Sequence, residues 1–257
     1  LLPESTKATN EYVVFGIGNY KYIRDLENSD AYKFRDRMNE LSWTKVGQFY
    51  DNNVLYPYFS EYGNKADILY ITGHGNNTGQ IALYEYNRED NPFIDYRRDY
   101  INYNLVGSTG QMKGYKDTSD EDLEWMIFAT CSSLYEVQWG KHLKEGVHHI
   151  LGYHYETSDH PVDTNIINNY IDRAFGKNGY SAESVRSAWI NANREYSEYQ
   201  WAIQGHASNI GDYMHGVKTG ATSDVLGKDD IYFWIGYDNG TWAGGSASEN
   251  VGDYIKS

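Results

Sequence analysis

Two side chains in this sequence have the chemistry of a nucleophile and a base, and each closes an apolar run. His74 follows Ala66-Asp67-Ile68-Leu69-Tyr70-Ile71-Thr72-Gly73 and is flanked by glycines, whereas Cys131 follows Trp125-Met126-Ile127-Phe128-Ala129-Thr130. A thiol becomes a useful nucleophile when a nearby imidazole takes its proton, so the two together could carry acyl transfer. Gly73 and Gly75 leave room for a substrate backbone, and the amides of Gly75 and Cys131 could face a developing oxyanion. Taken singly, each residue has a plainer reading: a His at a strand end is usually a hydrogen-bonded rim residue, and a lone Cys after an apolar run is usually a small buried hydrophobe. The matching context of the two, with no other cysteine in the chain, sets them apart. A catalytic Cys131 is expected to be a partly exposed thiolate of low pKa, and a structural one buried and inert.

The elements that would position the pair follow from hydrophobic patterning. Apolar runs at 12–18, 66–75 and 125–130 read as buried strands, 147–155 as a fourth candidate with part alternation, and 46–50 as a short strand. Ser29 and Asp30 can cap a helix reaching about Leu41, and helical spacing recurs over 163–175 and over 181–196, where Ser181 is the expected N-cap. Residues 137–144 read as a short helix. Residues 76–118 read as an extended loop or hairpin insertion with an edge strand near 80–84, and 229–243 as a C-terminal strand or hairpin. Strands alternating with helices imply one α/β domain over 1–257, with a mostly parallel central sheet covered on both faces. In such sheets ligands bind where loops leave the carboxyl ends of the strands, which is where His74 and Cys131 fall.

Composition bounds the partners. The chain of 257 residues carries a net charge of -14, with 36 acidic against 22 basic side chains, which argues against nucleic acid or an anionic membrane and favours basic substrates. Acidic surfaces are also ordinary solubility devices. No apolar run reaches the roughly 18 residues of a membrane span. The start, Leu1-Leu2-Pro3-Glu4, lacks both Met and an apolar leader and reads as a trimmed one, so a secreted or extracytoplasmic location is expected. One cysteine allows no internal disulfide.

The two strand-end motifs resemble those of the clan that contains caspases, legumain, gingipains, clostripain and separase, and Cys131-Ser132-Ser133 is similar to the Cys-Ser-Ser run of separases. The resemblance covers 66–75 and 125–133, and more loosely the opening strand and 146–155. It implies a caspase-like three-layer sandwich, His74 as general acid or base, Cys131 as nucleophile, and the amides of Gly75 and Cys131 as the oxyanion hole. Thr130 stands where the clan usually has Ala, Ser or Gly, and Ala129 where some members carry an acid. Several relatives cleave after Arg or Lys using a buried acid, which makes Glu156, Asp159 and Asp163 the substrate-pocket candidates; each is otherwise a turn or helix-cap carboxylate. A peptide or protein substrate and no required cofactor follow.

Other readings compete. A catalytically silent domain of the same fold could bind peptide or glycan through its Tyr- and Trp-rich surface, and a Cys-His transpeptidase would differ only in the acceptor. His148, His149, His154 and His160 cluster without any standard zinc spacing, and His149 should face away from His148 and His154. Asp117, Asp120, Glu121 and Asp122 could hold calcium, although no EF-hand pattern is present. Asn76-Asn77-Thr78 is formally a glycosylation acceptor.

Overall fold

The computed structural model describes residues 10–77, 79–85, 100–101, 123–135, 139, 142–143, 147–196, 200–206, 209–214 and 231–236. The apolar runs form the middle of a seven-stranded sheet. β1 (Glu11–Gly16), β3 (Ile68–Gly73), β6 (Trp125–Thr130) and β7 (His149–Tyr153) are buried along nearly their whole length. With β2 (Thr44–Tyr50), β8 (Trp201–His206) and β9 (Ile231–Gly236) they lie in the order β2-β1-β3-β6-β7-β8-β9. The pairings from β2 to β7 are parallel, and β7–β8 and β8–β9 are antiparallel. Strands without a polar alternation can be stable only if both of their faces are covered.

Both faces are covered. One carries α1 (Ser29–Glu40), α3 (Val162–Phe175) and α4 (Val185–Tyr196), whose Phe34, Met38, Ile167, Tyr170 and Trp189 pack on Tyr12, Tyr70, Ile127 and Leu151 of the sheet. The other carries α2 (Tyr56–Gly63), whose Phe59 packs with Trp139 and Leu143 on Phe15, Ile71 and Phe128. Helix, sheet and helix form a three-layer α/β sandwich with a mostly parallel sheet, as the alternation of strands and helices implies.

Several local expectations are corrected. The helix expected from Ser181 begins at Val185, and Ser184 is its cap, accepting the Ser187 amide at 3.3 Å. Asp30 is not the N-cap residue, which is Asn28; it lies in the first turn of α1 with its side chain fully buried and its Oδ1 accepting the Ala31 amide at 2.8 Å. The edge strand expected over 80–84 is only β4 (Ile81–Ala82), paired antiparallel with β5 (Tyr100–Ile101). Of the helix expected over 137–144, Trp139, His142 and Leu143 are described, all buried. β9 matches the C-terminal strand, while the turn expected after it lies outside the described residues. Two elements carry little signal of their own: α2 reads Tyr-Pro-Tyr-Phe-Ser-Glu-Tyr-Gly, and β8 is a six-residue strand broken by Gly205.

Candidate active site

β3 and β6 are neighbours, and their parallel register runs from Ile68 opposite Trp125 to Gly73 opposite Thr130. The next residues on each strand are His74 and Cys131. They therefore leave the sheet side by side at one level, at the roughly 4.8 Å spacing of paired strands. The approach is closer still one residue on. A Cβ built on Gly75 would lie 2.0 Å from the Cys131 carbonyl oxygen, so only glycine fits there.

His74 is held from two sides by the loop between β1 and α1. Its backbone N–H donates to the Tyr20 hydroxyl at 2.7 Å, and that ring packs on the imidazole with centroids 4.9 Å apart. Its Nε2 lies 2.8 Å from the Arg24 carbonyl oxygen. A carbonyl oxygen only accepts, so Nε2 carries a proton, and Nδ1 is the ring nitrogen left to act as a base. Beyond His74 the chain folds into a hairpin in which the Ala82 amide donates to the His74 carbonyl at 2.8 Å and the Asn76 amide to the Gln80 carbonyl at 3.1 Å. Those bonds flank the Gly75–Ile81 bridge, so the Gly75 amide points out of the hairpin. Asn76, the glycosylation acceptor by motif, uses its side-chain amide on Gln80.

Cys131 opens a tight turn in which Ser132 adopts φ 52° and Ser133 donates to the Thr130 carbonyl at 3.0 Å. The Leu134 amide bonds the Tyr153 carbonyl at 3.0 Å, docking the turn on the end of β7. The thiol is half-buried. Burial pushes its pKa up; the Thr157 amide, hydrogen-bonded to the sulfur, pulls the other way, and the Glu156 and Asp159 carboxylates push up again. The thiol pKa therefore lies above its ordinary range, on the side expected from sequence for a structural cysteine rather than for a catalytic thiolate.

Of the three acids named from sequence, Glu156 and Asp159 flank Cys131 closely enough to act on its ionisation. Asp159 also pairs with the exposed Arg24 side chain at 3.8 Å, so one residue touches both halves of the site. Asp163 lies deeper. Burial, then the charge of Asp30, raises its pKa to about 7, and burial raises Asp30 to about 6 against the pull of the Tyr70 hydroxyl, which donates at 2.7 Å. Burial raises the pKa of the Tyr153 phenol, a Thr157 hydrogen bond pulls it back, and the charges of Asp163, Asp30 and Cys131 push it up further in that order. Asp30 is the residue that sequence reading missed. A helix-start aspartate looks the same whether it caps or turns inward.

The four histidines go to separate places. His148 Nδ1 bonds Asp212 at 2.9 Å, His149 packs on Tyr232, His154 Nδ1 faces the Leu134 carbonyl, and His160 contacts Thr164. Among the described residues no three His, Cys, Asp or Glu side chains form a metal-binding group. Asp117, Asp120, Glu121 and Asp122, the calcium candidates, lie outside the described residues, as does most of the insertion. Among the described residues no helix is long and apolar enough to cross a membrane.

The sandwich, with a Cys and a His on neighbouring strand ends, defines a three-layer α/β protein with a mostly parallel central sheet. The chain belongs to the family described as a domain of unknown function, DUF6345, which matches residues 16–237. No curated protein matches the sequence. A solved structure, that of the Arg-specific cysteine proteinase gingipain R, is similar over 73% of this chain and 42% of its own, with 10% identity and a TM-score of 0.47. The chain thus spans less than half the length of that proteinase.

Proposed function

We propose that the protein is a cysteine endopeptidase-like hydrolase in which Cys131 is the nucleophile and His74 the base. The observation that carries this reading is the shared register of β3 and β6, which sets the two residues at adjacent strand ends. His74 Nδ1 takes the Cys131 proton as the sulfur bonds to the substrate carbonyl carbon and the carbonyl electron pair moves to oxygen. The amides of Gly75 and Cys131 are the candidate donors to that oxygen. As the C–N bond breaks, Nδ1–H protonates the leaving amine. Water then attacks the thioester, His74 takes its proton, and release of the acid restores the thiol. A thiol raised by burial fits proton transfer on substrate arrival rather than a standing ion pair. Glu156 and Asp159 beside the sulfur, with Asp163 and Asp30 behind, favour a substrate with Arg or Lys at the scissile bond.

The same raised thiol pKa also suits a second reading, a silent domain that holds a peptide without turning it over. The rate of iodoacetamide labelling of the native protein, across pH and with His74→Ala, separates the two. Labelling that is at least 10-fold slower in the variant near neutral pH, together with cleavage of Arg- or Lys-containing peptides by the wild type, is expected. Slow labelling that ignores His74 would sink the hydrolase reading.

A further inference from the structure

The sequence gives no reason to single out Asp51, which follows the edge strand β2, yet its carboxylate is among the most heavily bonded of the described residues. Oδ1 accepts the Gly18 and Asn19 amides, each at 2.9 Å, and the Asn28 side-chain amide at 3.0 Å; Oδ2 accepts the Asn19 side-chain amide at 2.9 Å. Burial opposes its ionisation, but these donors outweigh it and hold the carboxyl below its ordinary range. Its backbone sits at φ 52°, a left-handed conformation that is unfavourable for a residue bearing a side chain. The bonds it makes offset that cost.

What the carboxylate ties together is the neck of one loop. Gly18 and Asn19 begin the segment between β1 and α1, Asn28 ends it, and the Leu26 amide closes the same neck on the Gly18 carbonyl at 2.7 Å. The Asn28 side chain lies so close over Gly16 and Gly18 that a Cβ on either would meet it at 2.9 Å. Beyond the neck, the loop sends three groups to the His74 hairpin. These are the Tyr20 hydroxyl, the Lys21 amide to the Tyr84 carbonyl at 3.0 Å, and the Arg24 carbonyl to His74 Nε2. Asp25 stiffens the span by accepting the Tyr20 amide at 2.7 Å.

We infer that Asp51 is a positioning residue for His74, acting through the 18–28 loop to hold the Arg24 carbonyl against Nε2 and so keep Nδ1 available as the base. The inference rests on the hydrolase reading for its consequence, though not for its geometry. The mechanism is entropic: a loop of about ten residues freed at its neck samples more conformations, and the Tyr20, Lys21 and Arg24 bonds that remain must hold that freedom alone, which weakens the Arg24 bond to Nε2.

The test is the water-exchange rate of the His74 Nε2 proton, read by nuclear magnetic resonance on 15N-histidine protein, beside the iodoacetamide rate of Cys131. Asp51→Ala is expected to raise that exchange at least 10-fold and to slow labelling toward the His74→Ala rate, with Asp51→Asn, which keeps an acceptor, in between. Asn178→Ala, which removes bonds to Asp172 far from the site, controls for general destabilisation and should leave both rates unchanged. Should Asp51→Ala not fold, Asn19→Ala removes one donor from the exposed side and should raise exchange by a smaller factor. Exchange unchanged in a folded Asp51 or Asn19 variant overturns the inference. If labelling never depended on His74 but exchange still rises, the hydrolase reading fails and the positioning role stands.

Discussion

At Gly75 the packing of the site comes down to a single absent methyl. A Cβ there would sit 2.0 Å from the Cys131 carbonyl oxygen and 3.2 Å from the Thr130 Cβ, and the obstacle is backbone, which cannot rotate away. Gly75→Ala must push β3 and β6 apart at their carboxyl ends, at a cost of about 2 kcal/mol or more for overpacking a close contact. Because the distortion falls between His74 and Cys131, the variant should lose the His74 dependence of Cys131 labelling as well as stability. Urea unfolding and the labelling rate check both, and a variant as stable as wild type would mean that the strand ends are looser than this contact implies. Cys131 shows the limit of residue-level reading. Its place after an apolar run is plain in the sequence, but the balance of burial, the Thr157 amide and two carboxylates that sets its ionisation is made by the 156–159 loop, which no local pattern ties to it.

At the scale of elements, legibility followed burial on two faces. The strands that carry His74 and Cys131 are unbroken apolar runs, so their existence, their parallel course and the rim position of both residues could be read directly. α2 and β8 could not, because α2 is a Tyr-rich helix of about two turns ordered by contact with the sheet, and β8 is held between β7 and β9 rather than by its own composition. Helix ends were misread for a related reason. Ser181 and Ser184 both precede α4, and only the chain path decides which one caps it. Ser184 accepts the Ser187 amide and donates to the Ser187 hydroxyl at 2.9 Å, so Ser184→Ala should cost about 1 kcal/mol while Ser181→Ala costs nearly nothing. Equal effects in thermal melts would return the cap to Ser181. The missed loop role of Asp51 has the same origin, since its four donors come from residues 18, 19 and 28, more than twenty positions away.

The whole molecule carries 36 acidic against 22 basic side chains, and it buries two of the acids together. Asp30 is fully buried and Asp163 nearly so, one in the first turn of α1 and the other in that of α3. Their pKa values, raised to about 6 and about 7, stand above the roughly 3.9 of an aspartate in an unfolded chain. Between about pH 4 and pH 7 the folded protein therefore holds more protons than the unfolded one, and stability falls as pH rises through that window. The contribution is complete below about pH 4 and is lost as the pair ionises. Self-repulsion of a net charge of -14 works in the same direction, because it too grows as carboxyls deprotonate, but salt screens it, and a buried pair is screened much less. Asp163→Asn isolates the pair: it removes one charge from the buried site and leaves the surface unchanged. Its melting temperature should exceed that of wild type at pH 8, by the equivalent of about 1–2 kcal/mol, with the gap closing toward pH 4.5 and persisting in 0.5 M salt. Melting curves that run parallel for the two proteins from pH 4.5 to pH 8 would mean that Asp30 and Asp163 ionise independently of folding, and the slope would then belong to the surface charge alone.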